Sequence, residues 1–197
     1  EAGFRKVVFL TTAATSWTVP RDWNNAGNMV EVIGGGGGGT DGSNNDGSGG
    51  SGGGGYSRSL NIQLTKGTTL SSSTNFRVGI AGTAGGSAAR GGNGGHTWFN
   101  SGSYANCATA GSSVCGSAEG GESGILVSPF TGGAGGGTSS ASGVVKYIGG
   151  NGEAGVSTDA GGAGEYDWSE VNVEARSVHD RQINCGRAAS KKRRHGC

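Results

Sequence analysis

The sequence predicts an all-β protein, an antiparallel β-sandwich of jelly-roll type with long ordered glycine-rich loops, and three observations carry that expectation. Short stretches alternate apolar and polar residues with a period of two, the pattern of strands half-buried against a core. Helical periodicity is nearly absent: no stretch holds an apolar i, i+3, i+4, i+7 pattern for three turns, and glycine interrupts almost every window. Turn residues separate the alternating stretches, as they do between the strands of a sandwich rather than in βαβ units.

In chain order the candidate strands are KVVFLT (6–11), SWTV (16–19), MVEVI (29–33), LNIQL (60–64), FRVGI (76–80), HTWF (96–99), GILVS (124–128), VVKYI (144–148) and EVNVE (170–174). The clearest alternation places Leu60, Ile62 and Leu64 on one face with Asn61 and Gln63 on the other, and Phe76, Val78 and Ile80 together. Residues 166–183 are the one place where a short helix fits. Glycine blocks at 34–39, 49–55, 82–95, 132–137 and 149–164 are far longer than hairpin turns require and share no fixed period.

The chain has 46 glycines and 2 prolines in 197 residues, which excludes collagen and proline-rich spacers. Leu, Ile, Val and Phe stay below the level of an ordinary core, yet the net charge is only +1, so the signature of disorder is incomplete. The expected result is an ordered domain with a thin core, in which backbone packs against backbone. As flexible coils the glycine blocks would carry a large entropy cost. As polyproline-II-like (polyglycine-II-like) segments they can stack closely, because no Cβ intervenes. Both flanks of 34–55 read as strands, so this stretch reads as an excursion of one domain, with TDGSNNDGS (40–48) its most partner-facing part. The expected organisation is a glycine-rich sandwich over 1–165, then a strand and a basic, cysteine-bearing tail over 166–197. From Arg176 onward seven Lys and Arg, among them Lys191, Lys192, Arg193 and Arg194, face one acid, Asp180; this +6 leaves −5 for the remainder. That tail is either a solvated tail or an assembly contact. No apolar run reaches about 18 residues, so no membrane insertion is expected.

Candidate chemistry is sparse. Glycine blocks suggest phosphate binding, but VIGGGGGGTDG lacks the lysine and the following helix of a P-loop, and no nucleic-acid or nucleotide partner is expected. Asp41, Asn44, Asn45 and Asp46 offer oxygen ligands without the closing Glu of a calcium loop, which favours a polar, partner-facing loop over a metal site. The three histidines (His96, His179, His195) accompany no GxSxG serine, and nothing places Asp22, Glu31, Glu119 and Glu122 at glycosidase spacing, so neither enzyme activity nor a cofactor is expected. Cys107, Cys115, Cys185 and Cys197 lack zinc-ligand spacing. Cys107 and Cys115 can close a short loop as a disulfide, or all four can stay free or crosslink chains. His96, Trp98, Phe99 and Tyr104 form either a stacking surface for a sugar or protein partner, or a core strand in which Trp98 and Phe99 face opposite sides.

SWTVPRDWNNAGNMVEVIGGGGGG, GGYSRSLNIQLTKGTT, FRVGIAGTAG, GGNGGHTWFN and YIGGNGEAG, in that order over residues 4 to about 164, resemble the glycine-rich domain of tailed-bacteriophage tail fibres and tail-tip receptor-binding proteins. The resemblance implies a non-catalytic virion component, homo-oligomeric with a trimer favoured, contacting other virion subunits and a host surface glycan or protein. The charged, cysteine-bearing end departs from that pattern and suits anchoring, which keeps open a decoration or connector subunit. An ice-binding protein is a third reading, weakened by the lack of a strict three-residue glycine period.

Overall fold

The computed structural model describes residues 6–40, 48–86, 89–126 and 130–155. The chain divides into Glu1–Asp167 and Trp168–Cys197, and every described residue belongs to the first unit. The expected strand at 170–174, the helix at 166–183, the boundary at 165 and the basic tail lie outside the described residues.

Two three-stranded antiparallel sheets form the sandwich. One has the order β2 (Met29–Ile33), β3 (Tyr56–Leu60), β8 (Val145–Tyr147); the other is β5 (Phe76–Arg77), β6 (Thr97–Phe99), β7 (Gly116–Ala118). A ribbon of β1 (Ser16–Thr18) and β4 (Thr69–Ser71) flanks them. Between the layers lie Val19, Val32, Ile62, Leu64, Leu70, Phe76, Phe99 and Ala118, with Trp17 packed against Trp23 and Phe99. The inward positions of β3 are serines, not aliphatics. The buried Ser57 hydroxyl reaches the carbonyls of Ser117 (2.6 Å) and Ser142 (3.0 Å), and Ser59 reaches that of Cys115 (3.1 Å). Small hydroxyls that donate to backbone carbonyls across the sandwich let the sheets approach without aliphatic filling, which is how so thin a core closes.

MVEVI is β2 as expected, and parts of SWTV, HTWF and VVKYI are strands. LNIQL is not. Asn61 adopts φ 58, its backbone N–H donates to the Asn28 carbonyl (3.0 Å), and the strand lies one step earlier, so Leu60 is exposed while Ile62 and Leu64 are buried. FRVGI stays in the sheet only through Arg77, residues 6–10 are unpaired, and 124–126 belong to the glycine segments described next. The short helix α1 (Tyr104–Thr109), capped by Ser103 accepting from the Asn106 amide, lies where no helix was expected.

Beyond the strands the glycine blocks form seven extended segments: p1 (34–40), p2 (48–55), p3 (79–86), p4 (89–95), p5 (119–126), p6 (130–137) and p7 (149–155). Their backbone hydrogen bonds recur every three residues. Gly34 and Gly37 donate to Gly55 and Gly52, so p1 and p2 are antiparallel; Gly82 and Gly85 donate to Gly36 and Gly39, so p1 and p3 are parallel. Gly52 and Gly55 donate to Glu122 and Glu119, and Gly133 and Gly136 to Gly50 and Gly53. A three-residue step is the repeat of the polyproline-II helix, and the segments alternate in direction along the chain. Adjacency places p3–p1–p2–p7 in one layer and p4–p5–p6 in a second nested against it. The first continues β2–β3–β8 in the same order.

These glycines are required for space rather than for backbone conformation, since Gly67 is the one described glycine at positive φ. A Cβ on Gly34, Gly35, Gly37 or Gly38 would fall closer than 3.0 Å to the carbonyls of Glu119, Ile80, Glu122 or Thr83. Glycine content follows the number of neighbours. Segment p3, touching p1 and p4, needs glycine at 79, 82 and 85, whereas p1, touching p2, p3, p4 and p5, is glycine from 34 to 39. The three-residue glycine period missing from the sequence as a whole is therefore present in the edge segments.

Candidate functional site

The segments change direction by way of the strands at one end of this lattice and by short connections at the other. Segment p1 leaves β2 at residue 34 and p2 enters β3 at 56; p3 and p5 leave β5 and β7, while p4 returns to β6 and p7 leaves β8. The far ends are held together by Thr40 Oγ1 donating to the Gly49 carbonyl (2.8 Å), Ala89 N to Gly86 (2.9 Å), Ile125 N to Thr131 (2.9 Å) and Gly155 N to Phe130 (2.9 Å). The described ends of all seven segments are thus gathered at the end away from the strands. A segment of seven or eight residues, six or seven steps of about 3.1 Å, separates the two ends by roughly 20 Å.

Asp41, Asn44, Asn45 and Asp46 lie outside the described residues, but Thr40 and Ser48, which bracket them, are at this free end. Lys191 to Arg194, Cys185 and Cys197 also lie outside the described residues. Trp98 and Phe99 are core residues, 8% and 6% exposed, and present no face to a partner. Strand alternation sends them to opposite sides, and both sides are covered: Phe99 enters the main core, and Trp98 packs with Cys107, Cys115, Tyr104 and Ala110. Arg77 covers the Trp98 ring, with its guanidinium carbon 5.7 Å from the centroid. Cys107 and Cys115 form a buried disulfide joining α1 to the residue before β7.

His96 and Tyr104 do come together, their rings stacked at 4.1 Å and 14°. His96 Nδ1 accepts from the Gly120 amide (3.1 Å), which leaves Nε2 as the protonated nitrogen of the neutral ring. Burial, and then the Glu119 carboxylate, push the Tyr104 hydroxyl up to about 12. This pair belongs to a structural row along p4 that sequence reasoning missed. Asn93 Oδ1 accepts from Ser123 N (3.0 Å), and the Arg90 guanidinium donates to the carbonyls of Ser123 (2.9 Å) and Gly124 (3.0 Å). Arg90, Asn93 and His96 stand three apart, the lattice repeat, and satisfy p5 backbone groups at an edge where no further segment lies. Their spacing was the available signal. Asn151 and Glu119 do the same for the amides of Gly135 (2.8 Å) and Gly137 (3.0 Å).

Among the described residues, no group of three His, Cys, Asp or Glu could hold a metal. What the arrangement offers is a glycine-rich stem, held by backbone contacts, whose segment ends away from the strands lie together. No curated protein and no solved structure matches the chain. A family model, described as a glycine-rich domain, matches residues 10–192 and so spans the sandwich and all seven segments; the chain belongs to this family of glycine-rich domains.

Proposed function

We propose that this domain is a non-catalytic attachment module of a tailed-phage tail fibre or tail tip, with the lattice as its stem and the connections at the free end meeting a host surface glycan or protein. The observation that carries the reading is that the ends of p1 to p7 farthest from the strands are held together at one end of the lattice. A stem held by backbone contacts has little freedom to lose on binding, and end loops can differ in sequence without disturbing it. In sequence, residues 41–46 between Thr40 and Ser48 are rich in hydrogen-bonding Asp, Asn and Ser. The strand end suits attachment to the particle: Val7 and Phe9 are 70% and 86% exposed in an unpaired segment. Many copies on one particle would turn weak contacts into avidity.

The test replaces residues 41–47 with an unrelated seven-residue loop, leaving p1 and p2 intact, and measures adsorption of otherwise normal virions to host cells. Adsorption should fall at least about tenfold while incorporation is unchanged. Full adsorption would overturn the proposal, and loss of incorporation on deleting 186–197 would instead favour a connector held by its tail.

A further inference from the structure

We propose that the outer face of the β2–β3–β8 sheet is a homodimer interface, with a twofold axis parallel to the strands and midway between β2 and β3. This reading does not depend on the phage assignment. The strand register puts three cross-strand pairs on that face: Met29 with Leu60, Glu31 with Arg58, and Ile33 with Tyr56. The burial alternation confirms the facing, since Val32, Ser57 and Ser59 are turned inward and buried. Met29 is 49% exposed, Ile33 56% and Leu60 39%, and Tyr147 extends the Ile33–Tyr56 row at 43%. An apolar row therefore lies on each side of one acid–base row, on a sheet that nothing described covers.

The occupant follows from charge complementarity. Each pair joins unlike but compatible members: aliphatic with aliphatic, acid with base, aliphatic with aromatic. Rotation by 180° about an axis between the two strands lays each residue over the other member of its own pair in a second copy. Met29 meets the partner's Leu60, Glu31 meets the partner's Arg58, and Ile33 meets the partner's Tyr56. An axis on β3 would set the two Arg58 side chains against each other, and an in-plane axis across the strands through the middle row would oppose the two Glu31 carboxylates. Isologous contacts require this self-complementarity. Glu31 accepts from the Tyr56 hydroxyl and, as a carboxylate, can accept further bonds. Sheet twist would tilt the two faces by about 30° without exchanging the rows. An axis along the strands also points both lattices the same way, so the two free ends sit side by side.

The intact chain is examined by sedimentation equilibrium up to about 100 μM, with circular dichroism to check folding. The wild type should show twice the chain mass. Ile33→Asp, at an exposed position, should weaken association at least about tenfold. Glu31→Arg alone and Arg58→Glu alone should each be monomeric, because each homodimer would oppose like charges. Mixed, they should form a one-to-one heterodimer, since both contacts are then restored. A wild type that is monomeric or trimeric, a dimer unaffected by Ile33→Asp, or folded charge variants that stay monomeric when mixed would overturn the proposal.

Discussion

Gly35→Ala and Gly39→Ala make the same chemical change four residues apart in p1, and the lattice assigns them opposite outcomes. A Cβ on Gly35 would fall closer than 3.0 Å to the Ile80 carbonyl, in a segment flanked by p3, p4 and p5. Restoring ordinary contact requires a backbone shift of roughly 1 Å or more. That shift pulls on the bonds from Gly35 N to Gly95 O and from Gly121 N to Gly35 O, both 2.9 Å. Each bond is worth about 1 kcal/mol net, and each group left buried without a partner costs about 1–3 kcal/mol. The expected destabilisation is therefore about 4 kcal/mol or more, a large part of a domain's total stability. Gly39 has nothing within 4 Å of an added Cβ and is not at positive φ, so alanine there should be neutral, or stabilising by about 0.4–1 kcal/mol through the unfolded chain. Gly137→Ala meets chiefly the carboxylate end of the Glu119 side chain, which can shift only by loosening its bond from the Gly137 amide, and should fall between them. Urea denaturation of the three variants measures the order, and soluble yield with circular dichroism reports on Gly35→Ala if it fails to fold. Were the glycine blocks flexible coils, all three would behave alike; a Gly35→Ala protein within about 0.5 kcal/mol of wild type would refute the close-packed lattice.

Removing the Cys107–Cys115 crosslink with paired serines opens a loop of eight-residue separation, and chain entropy puts the loss at about 2–3 kcal/mol. Calorimetry should show a melting temperature lower by about 5–10 °C, and an unchanged transition would show that the buried pair contributes nothing. The raised Tyr104 hydroxyl means that the folded state holds its proton more tightly than the unfolded chain does. Its contribution is complete below the ordinary tyrosine range near pH 10 and is lost as pH climbs from there toward 12. The urea midpoint should fall over that window, and Tyr104→Phe should flatten the fall. A residual slope is expected from Tyr56, also raised by burial and by its bond to Glu31; identical slopes for wild type and Tyr104→Phe would contradict the linkage.

The readability of the sequence varied with what each residue packs against. MVEVI was legible because Val32 meets an aliphatic core while Glu31 meets solvent. YSRSL was not, because β3 turns serines inward and leaves Tyr56, Arg58 and Leu60 outward, reversing the polarity that alternation normally reports. The buried Ser57 and Ser59 work only because the Ser117, Ser142 and Cys115 carbonyls meet them, and those partners are 56 to 85 residues away. Helix α1 escaped notice because six residues cannot show helical periodicity, although Ser103 marked its start. That the glycine blocks pack was an inference from composition. Their three-residue register was visible in Gly79, Gly82 and Gly85 but hidden wherever every position is glycine.

That difference between edge and interior segments also says which changes the fold can absorb. In p1 two of every three residues, Gly34, Gly35, Gly37 and Gly38, meet a neighbouring backbone, so those positions are fixed by space alone and carry no information for a partner. In p3 and p4 two of three or one of three positions face outward, and the chain uses some of them, Arg90, Asn93 and His96, to complete p5 where the lattice stops. A ligand surface along p4 would have to spend those same side chains, and releasing them would leave p5 amides and carbonyls without partners. At the free end the segments are joined to one another through Thr40, Ala89, Ile125 and Gly155, without those side chains. Substitutions that preserve the fold therefore fall on outward positions that no neighbouring backbone group depends on.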